Sequence, residues 1–88
     1  MGKLIILRGN SGSGKTTVAK ALQKKLGRNT MLISQDEVRR NMLWVDDGID
    51  TKALPLMAEL LRYGREHSEF SILEGIMYDE WYRSLFEL

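Results

Sequence analysis

No cysteine occurs among the 88 residues, so neither a disulfide nor a thiolate metal site can hold this fold together. The absence fits a reducing compartment, and a cytoplasmic setting is the expectation. Histidine occurs once, at His67, which excludes a Cys/His metal cluster. Proline also occurs once, at Pro55, and there is no Pro-rich or low-complexity linker and no internal repeat. Charge of one sign is lacking too. Thirteen Lys and Arg against twelve Asp and Glu leave a net charge of +1. No broad field is available to hold nucleic acid or an anionic membrane. No apolar run approaches the ~20 residues a membrane helix needs. A strand reading that begins at Lys3 leaves no room for a secretory leader.

Glycine is plentiful by comparison, and much of it is concentrated in one place. Gly9, Asn10, Ser11, Gly12, Ser13, Gly14, Lys15 and Thr16 spell G-x-x-x-x-G-K-[ST]. The apolar stretch Lys3 to Leu7 before it reads as a buried strand, and Thr16 to Leu26 after it reads as a helix. Strand, glycine loop and helix in that order is the context that gives the motif its meaning. The glycines let the loop wrap a polyphosphate with backbone N–H groups pointing inward. The helix that follows, through Thr17, adds unpaired N–H groups and the positive end of its dipole. Lys15 is placed to neutralise β- and γ-phosphate charge, and the Thr16 hydroxyl to ligate Mg²⁺.

Further along, Val18, Leu22 and Leu26 recur at helical spacing with Ala19 and Ala21 beside them, predicting an apolar stripe that faces a sheet. Gly27 is placed as a left-handed C-cap. Thr30 to Ser34 reads as a second strand, apolar enough for burial on both faces. A short helix is predicted over Glu37 to Leu43, a turn at Asp46-Asp47-Gly48, and a helix from Pro55 to His67. Thr51 is a candidate cap for that helix. Its packed face is expected at Met57, Leu60, Leu61 and Gly64. Ser71 to Gly75 reads as a third strand and Tyr78 to Leu88 as a last helix. Trp44, Trp81, Tyr78 and Tyr82 read as core or edge packing rather than a base-stacking platform. The β-α-β-α-β-α order implies an α/β fold with a parallel sheet, right-handed crossovers and helices on both faces. Ligands of such sheets bind beyond the C-terminal strand ends.

Two carboxylates fall at such ends. Asp36 follows the second strand, where it can orient an acceptor hydroxyl and take its proton, or simply cap the helix that begins at Glu37. Glu74 ends the third strand, where it can hold magnesium or its water. Residue types alone leave open which of the two is the base and which the metal partner. Arg39, three residues after Asp36, shares its helical face and can grip a substrate phosphate. Arg40 lies about 100° further round and reads as solvated.

Leu4 to Thr17, Ile33 to Arg40 and Ile72 to Gly75 together resemble the small phosphate-loop (P-loop) kinases. The likeness is to the branch of uridine-kinase-like, zeta-toxin-like, chloramphenicol-phosphotransferase-like and polynucleotide 5′-kinase proteins. The Gly9 to Thr16 motif is specific for the superfamily; Ile33-Ser34-Gln35-Asp36 with Arg39 suggests the branch. The resemblance implies a three-layer α/β/α sheet of P-loop NTPase type, ATP as phosphoryl donor with Mg²⁺, Asp36 as base and Arg39 on substrate. The implied acceptor is a hydroxyl of a small molecule such as a nucleoside, with a nucleic-acid 5′-hydroxyl end as a further option.

Such kinases also carry two more parallel strands and an arginine-bearing lid. Residues 1–88 therefore read as the N-terminal portion of a single kinase domain, with its sheet incomplete. The competing readings are a non-catalytic nucleotide-binding chain, associating through an exposed sheet edge, and an NTP hydrolase. The hydrolase is disfavoured because Glu74-Gly75 replaces an Asp-rich strand end.

Overall fold

The computed structural model describes residues 2–9 and 14–86. Its elements are β1 (Lys3–Arg8), α1 (Lys15–Leu26), β2 (Met31–Ser34), a π-helix (Glu37–Leu43), α2 (Ala53–His67), β3 (Phe70–Gly75) and α3 (Asp79–Phe86). The three strands form one parallel sheet in the order β1-β3-β2. The chain thus steps across the future place of β3 on going from β1 to β2, then steps back. With both crossovers right-handed, that reversal puts α1 on one face and α2 on the other. This is the α/β, P-loop NTPase-type arrangement expected from the alternation, with a three-stranded, incomplete sheet.

Alternate residues of β3 serve the two faces. Ile72 and Glu74 look toward α1, where Ala19 is fully buried and the Thr16 side chain reaches Glu74. Ser71 and Leu73 look toward α2. On that side Ile33, Val38, Ala53, Met57, Leu61, Leu73, Met77, Tyr82 and Leu85 form the main core. Covering on both faces explains why β3 is buried from Ser71 to Gly75, whereas β1 and β2 are only partly so.

Several local expectations shift. The α1 stripe is centred on Ala19 and not on Val18, which is 53% exposed. The two positions lie about 100° apart round the helix, and the sheet lies beneath Ala19. Gly27 does end α1, but with φ 107° and ψ −178° rather than in the left-handed helical conformation, which Asn29 adopts instead at φ 66°. The N-cap of α2 is Lys52 and not Thr51, and it makes no side-chain capping bond. Thr51, one residue earlier, ties the preceding turn to the helix start, its hydroxyl accepting the Ala53 N–H at 3.3 Å and donating to the Asp46 carbonyl at 2.8 Å. Tyr82 is buried and Trp81 packs on the core. Tyr78 and Trp44, however, are exposed, Trp44 by 90%. Tyr78 nonetheless packs at an edge, its ring 4.8 Å from that of Trp81 in an edge-to-face pair. The packing expected of Trp44 is corrected, because among the described residues no element of the fold passes over the turn that carries it.

Gly64 marks the closest approach of α2 to the sheet. A Cβ placed there would lie 2.2 Å from the Ser71 Oγ and 3.1 Å from the Met31 Sδ. Overpacking of this kind costs about 1–3 kcal/mol. Gly64→Ala is therefore expected to lower the thermal midpoint by several degrees in a scan against the parent chain. An unchanged midpoint would show that Ser71 simply swings aside.

Candidate phosphate and acceptor site

The strand register sets the level of the site. Leu7 pairs with Glu74, which pairs with Ser34, and Arg8 pairs with Gly75. The glycine motif after β1, Glu74 on β3, and Gln35 and Asp36 after β2 therefore emerge at one end of the sheet, as the β-α-β order requires.

Asn10, Ser11, Gly12 and Ser13 lie outside the described residues. Of the motif, Gly9 follows β1 directly and is half-buried. Gly14 stands at the N-cap of α1 in the left-handed conformation, φ 78° and ψ 11°, a geometry glycine takes without a Cβ clash. It offers no capping side chain, and the first turn of α1 carries no acidic residue. A helix N-terminus of this kind, with no side-chain cap and no acidic residue in its first turn, is suited to an anion. Thr16 and Thr17 are exposed and Lys15 partly so.

The Thr16 Oγ1 donates to Oε2 of Glu74 at 3.3 Å. Glu74 is only 3% exposed. A buried carboxylate is costly unless paired, and this pairing joins the start of α1 to the end of β3. Among the described residues no group of three or more acidic or histidine side chains gathers into a metal cluster.

A second pair sits beyond β2. Asp36 Oδ1 receives the Arg39 Nη2 at 3.2 Å and lies 3.9 Å from the Arg40 Nε. Arg40, expected to be solvated, is indeed largely exposed, at 66%, yet leans toward the same oxygen. The capping alternative for Asp36 does not hold. Its φ and ψ of −62° and −41° are already helical and it makes no capping bond; the Ser34 Oγ instead accepts the Glu37 N–H at 3.5 Å. Arg39 is held more deeply, 15% exposed, with its Nε buried and without a hydrogen-bond partner.

Five residues at this end have roles that the sequence reading did not assign. Arg8 closes β1 by donating to the Met77 carbonyl at 2.9 Å, with its guanidinium 4.8 Å from the centre of the Phe86 ring. Gln35 is 1% exposed and donates through Nε2 to the Tyr82 hydroxyl at 2.9 Å. The Tyr82 hydroxyl in turn donates to Asp47. Burial, and next the bond to Asp47, push the Tyr82 phenol up to about 12. Gly75, at φ 153°, lets β3 pass Gln35, since a Cβ there would stand 2.6 Å from the Gln35 Cβ. Only a charged residue ending an apolar strand, at Arg8, and a glutamine beside Asp36 hinted at these roles.

A family model described as an AAA domain matches residues 4–86. The chain belongs to this family. No curated protein and no solved structure gives a match. The AAA domain assignment agrees with the P-loop NTPase-type topology and with a nucleotide-binding fold. No helix of the described AAA domain is long and apolar enough to cross a membrane.

Proposed function

We propose that this chain is an ATP- and Mg²⁺-dependent phosphotransferase acting on a hydroxyl group of a small molecule. The observation that carries the reading is the placement of two polar pairs, Thr16–Glu74 and Asp36–Arg39, at one end of the sheet. The first suits a donor phosphate with its metal. The second suits an acceptor.

The donor set fits magnesium. Its oxygen ligands stand at about 2.1 Å in octahedral geometry, so neighbouring ligands lie about 3 Å apart. The Thr16 and Glu74 oxygens are 3.3 Å apart, and both are hard donors. Thr16 would hold the ion directly, and Glu74 directly or through a water. Bound there, magnesium would neutralise charge on the β- and γ-phosphates.

The chain's own residues do the rest. N–H groups at the start of α1 receive phosphate oxygens, and Lys15 draws charge off the transferring group. Asp36 orients the acceptor hydroxyl and takes its proton. With Oδ1 engaged by the arginines, Oδ2 is the oxygen assigned to that proton. Arg39 binds the acceptor or the transferring group. The loose transition state demands little more than such positioning and charge neutralisation. A cytoplasmic setting and association of copies through the β1 or β2 edge belong to the same reading.

The test begins with γ-labelled ATP and a panel of nucleosides, nucleotide sugars, small alcohols and 5′-hydroxyl oligonucleotides. Label appearing on an acceptor supports the kinase. Label appearing only as inorganic phosphate supports a hydrolase, and ATP binding without either product supports a binding module. With an acceptor in hand, Asp36→Asn is expected to lower kcat by about 10²–10⁴-fold and to leave Mg-ATP affinity unchanged. Near-normal kcat would remove Asp36 as the base.

A further inference from the structure

Trp44 stands at the C-terminal end of the π-helix that carries Arg39, and its indole is 90% exposed. Its backbone is left-handed, φ 56° and ψ 56°. That region is unfavourable for a bulky side chain and is commonly filled by glycine or asparagine. Two features unfavourable to folding thus coincide at one residue: an unburied tryptophan and a strained backbone. Strain of this kind persists where the surroundings hold it in place, and such outliers cluster at ligand sites.

The surroundings do hold it. The N–H of Val45, the next residue, donates to the Arg39 carbonyl at 2.9 Å. Asp47, three residues on, accepts the Tyr82 hydroxyl, which accepts Gln35 Nε2 at 2.9 Å. Both ties run back into the Gln35–Arg39 turn that presents Asp36. The backbone at Trp44 is therefore tied to the segment that presents Asp36 and Arg39 and does not sit on a free loop. Met42, on the same turn, is 55% exposed and widens the apolar surface, while Arg40, 66% exposed in its side chain, adds a cation.

From this juxtaposition we infer that Trp44 is a specificity-determining residue of the acceptor site: its indole stacks on a planar aromatic or heteroaromatic ring of the molecule whose hydroxyl Asp36 receives. The inference rests on the phosphotransferase reading and narrows its acceptor to compounds with a planar ring. An indole face suits such a ring because stacking needs a π-surface and no hydrogen-bond match. The tie through Tyr82 gives the buried phenol a positioning role, since it links the Trp44 loop to Gln35.

The probes are adenosine, guanosine, cytidine and uridine, with ribose as the non-planar control. Each is titrated into the full chain with and without a non-hydrolysable ATP analogue and Mg²⁺, and tryptophan emission is followed. Trp81, packed on the core, supplies a constant background. At least one nucleoside is expected to quench emission saturably, and ribose is not. By equilibrium dialysis, Trp44→Ala is expected to weaken nucleoside binding by about 5- to 150-fold, the range base–aromatic stacking spans. Trp44→Phe, which keeps a ring, is expected to stay within about threefold of the parent. Absence of saturable quenching, an equal response to ribose, or parental affinity in Trp44→Ala overturns the inference. Exposure of the residue means that neither variant threatens the fold. The two readings fail separately: equal Mg-ATP affinity in the parent and Lys15→Ala removes the phosphate site and leaves the Trp44 result standing.

Discussion

Lys15→Ala is expected to weaken Mg-ATP binding by about 10- to 100-fold in isothermal titration, without lowering the thermal midpoint of the ligand-free chain. A hydrogen bond to a charged group is worth about 1.5–3 kcal/mol, which corresponds to that range. Lys15 is the first residue of α1, on a helix end that has no capping side chain and no acidic neighbour in its first turn. Removing its ammonium group therefore withdraws the main side-chain cation from the anion position while leaving the helix N–H groups in place. Some affinity should survive through those groups and Thr16. The midpoint should hold because lysine and alanine are both good helix formers at this partly exposed position. Equal affinity in parent and variant would dismiss the phosphate site. A collapse of the midpoint would mean that Lys15 serves the fold.

Tyr82→Phe is expected to destabilise the chain at neutral pH by about 1–3 kcal/mol, because Gln35, which is buried, would be left without its partner, and Asp47, which is exposed, would lose a hydrogen bond. The same variant reports on pH. Folding raises the Tyr82 phenol from 10.0 to about 12, chiefly by burial and then through Asp47. A group raised on folding contributes stability that is fully present below its unfolded value and is lost as pH climbs through its folded value. The stability gap between parent and Tyr82→Phe should thus be constant below pH 10 and close between pH 10 and about 12. A shift of that size corresponds to roughly 2–3 kcal/mol. Denaturant titrations of both proteins at stepped alkaline pH would read the gap. The comparison cancels lysine deprotonation, which both chains share. A gap that stays constant through this window would show that the phenol is not sheltered.

Much of this architecture was legible because it is written in local pattern. The apolar runs at Leu4 to Leu7, Met31 to Ile33 and Ile72 to Leu73 announce strands. Met57, Leu61 and Gly64 mark the buried face of α2 at helical spacing, and all three are buried. The motif from Gly9 to Thr16 needs only its own spacing and its flanking elements to be read. Asp36 and Arg39 share a face because three residues nearly complete a helical turn, and their ion pair is a local one.

What was not legible depends on contacts between distant residues. Nothing around Val18 says that the sheet lies beneath Ala19 instead. Nothing around Trp44 says that it is left uncovered, and a tryptophan in an apolar run is ordinarily expected to pack. Gln35 meets Tyr82 across 47 positions, and Thr16 meets Glu74 across 58. Such pairings carry no periodicity, and they exist only once the strand order is settled.

The sequence by itself determined that this chain alternates strand and helix, that a phosphate-binding motif sits between the first strand and helix, and that two carboxylates follow strand ends. Each of these is encoded within a few neighbouring residues, through backbone preference and side-chain period. The tertiary structure decided that β3 enters between β1 and β2, and so brings Glu74 against Thr16 and places Gln35 over Gly75. It also decided that the Tyr82 phenol fastens the loop presenting Trp44. Those outcomes come from burying both faces of one central strand, a condition that only the whole chain can satisfy.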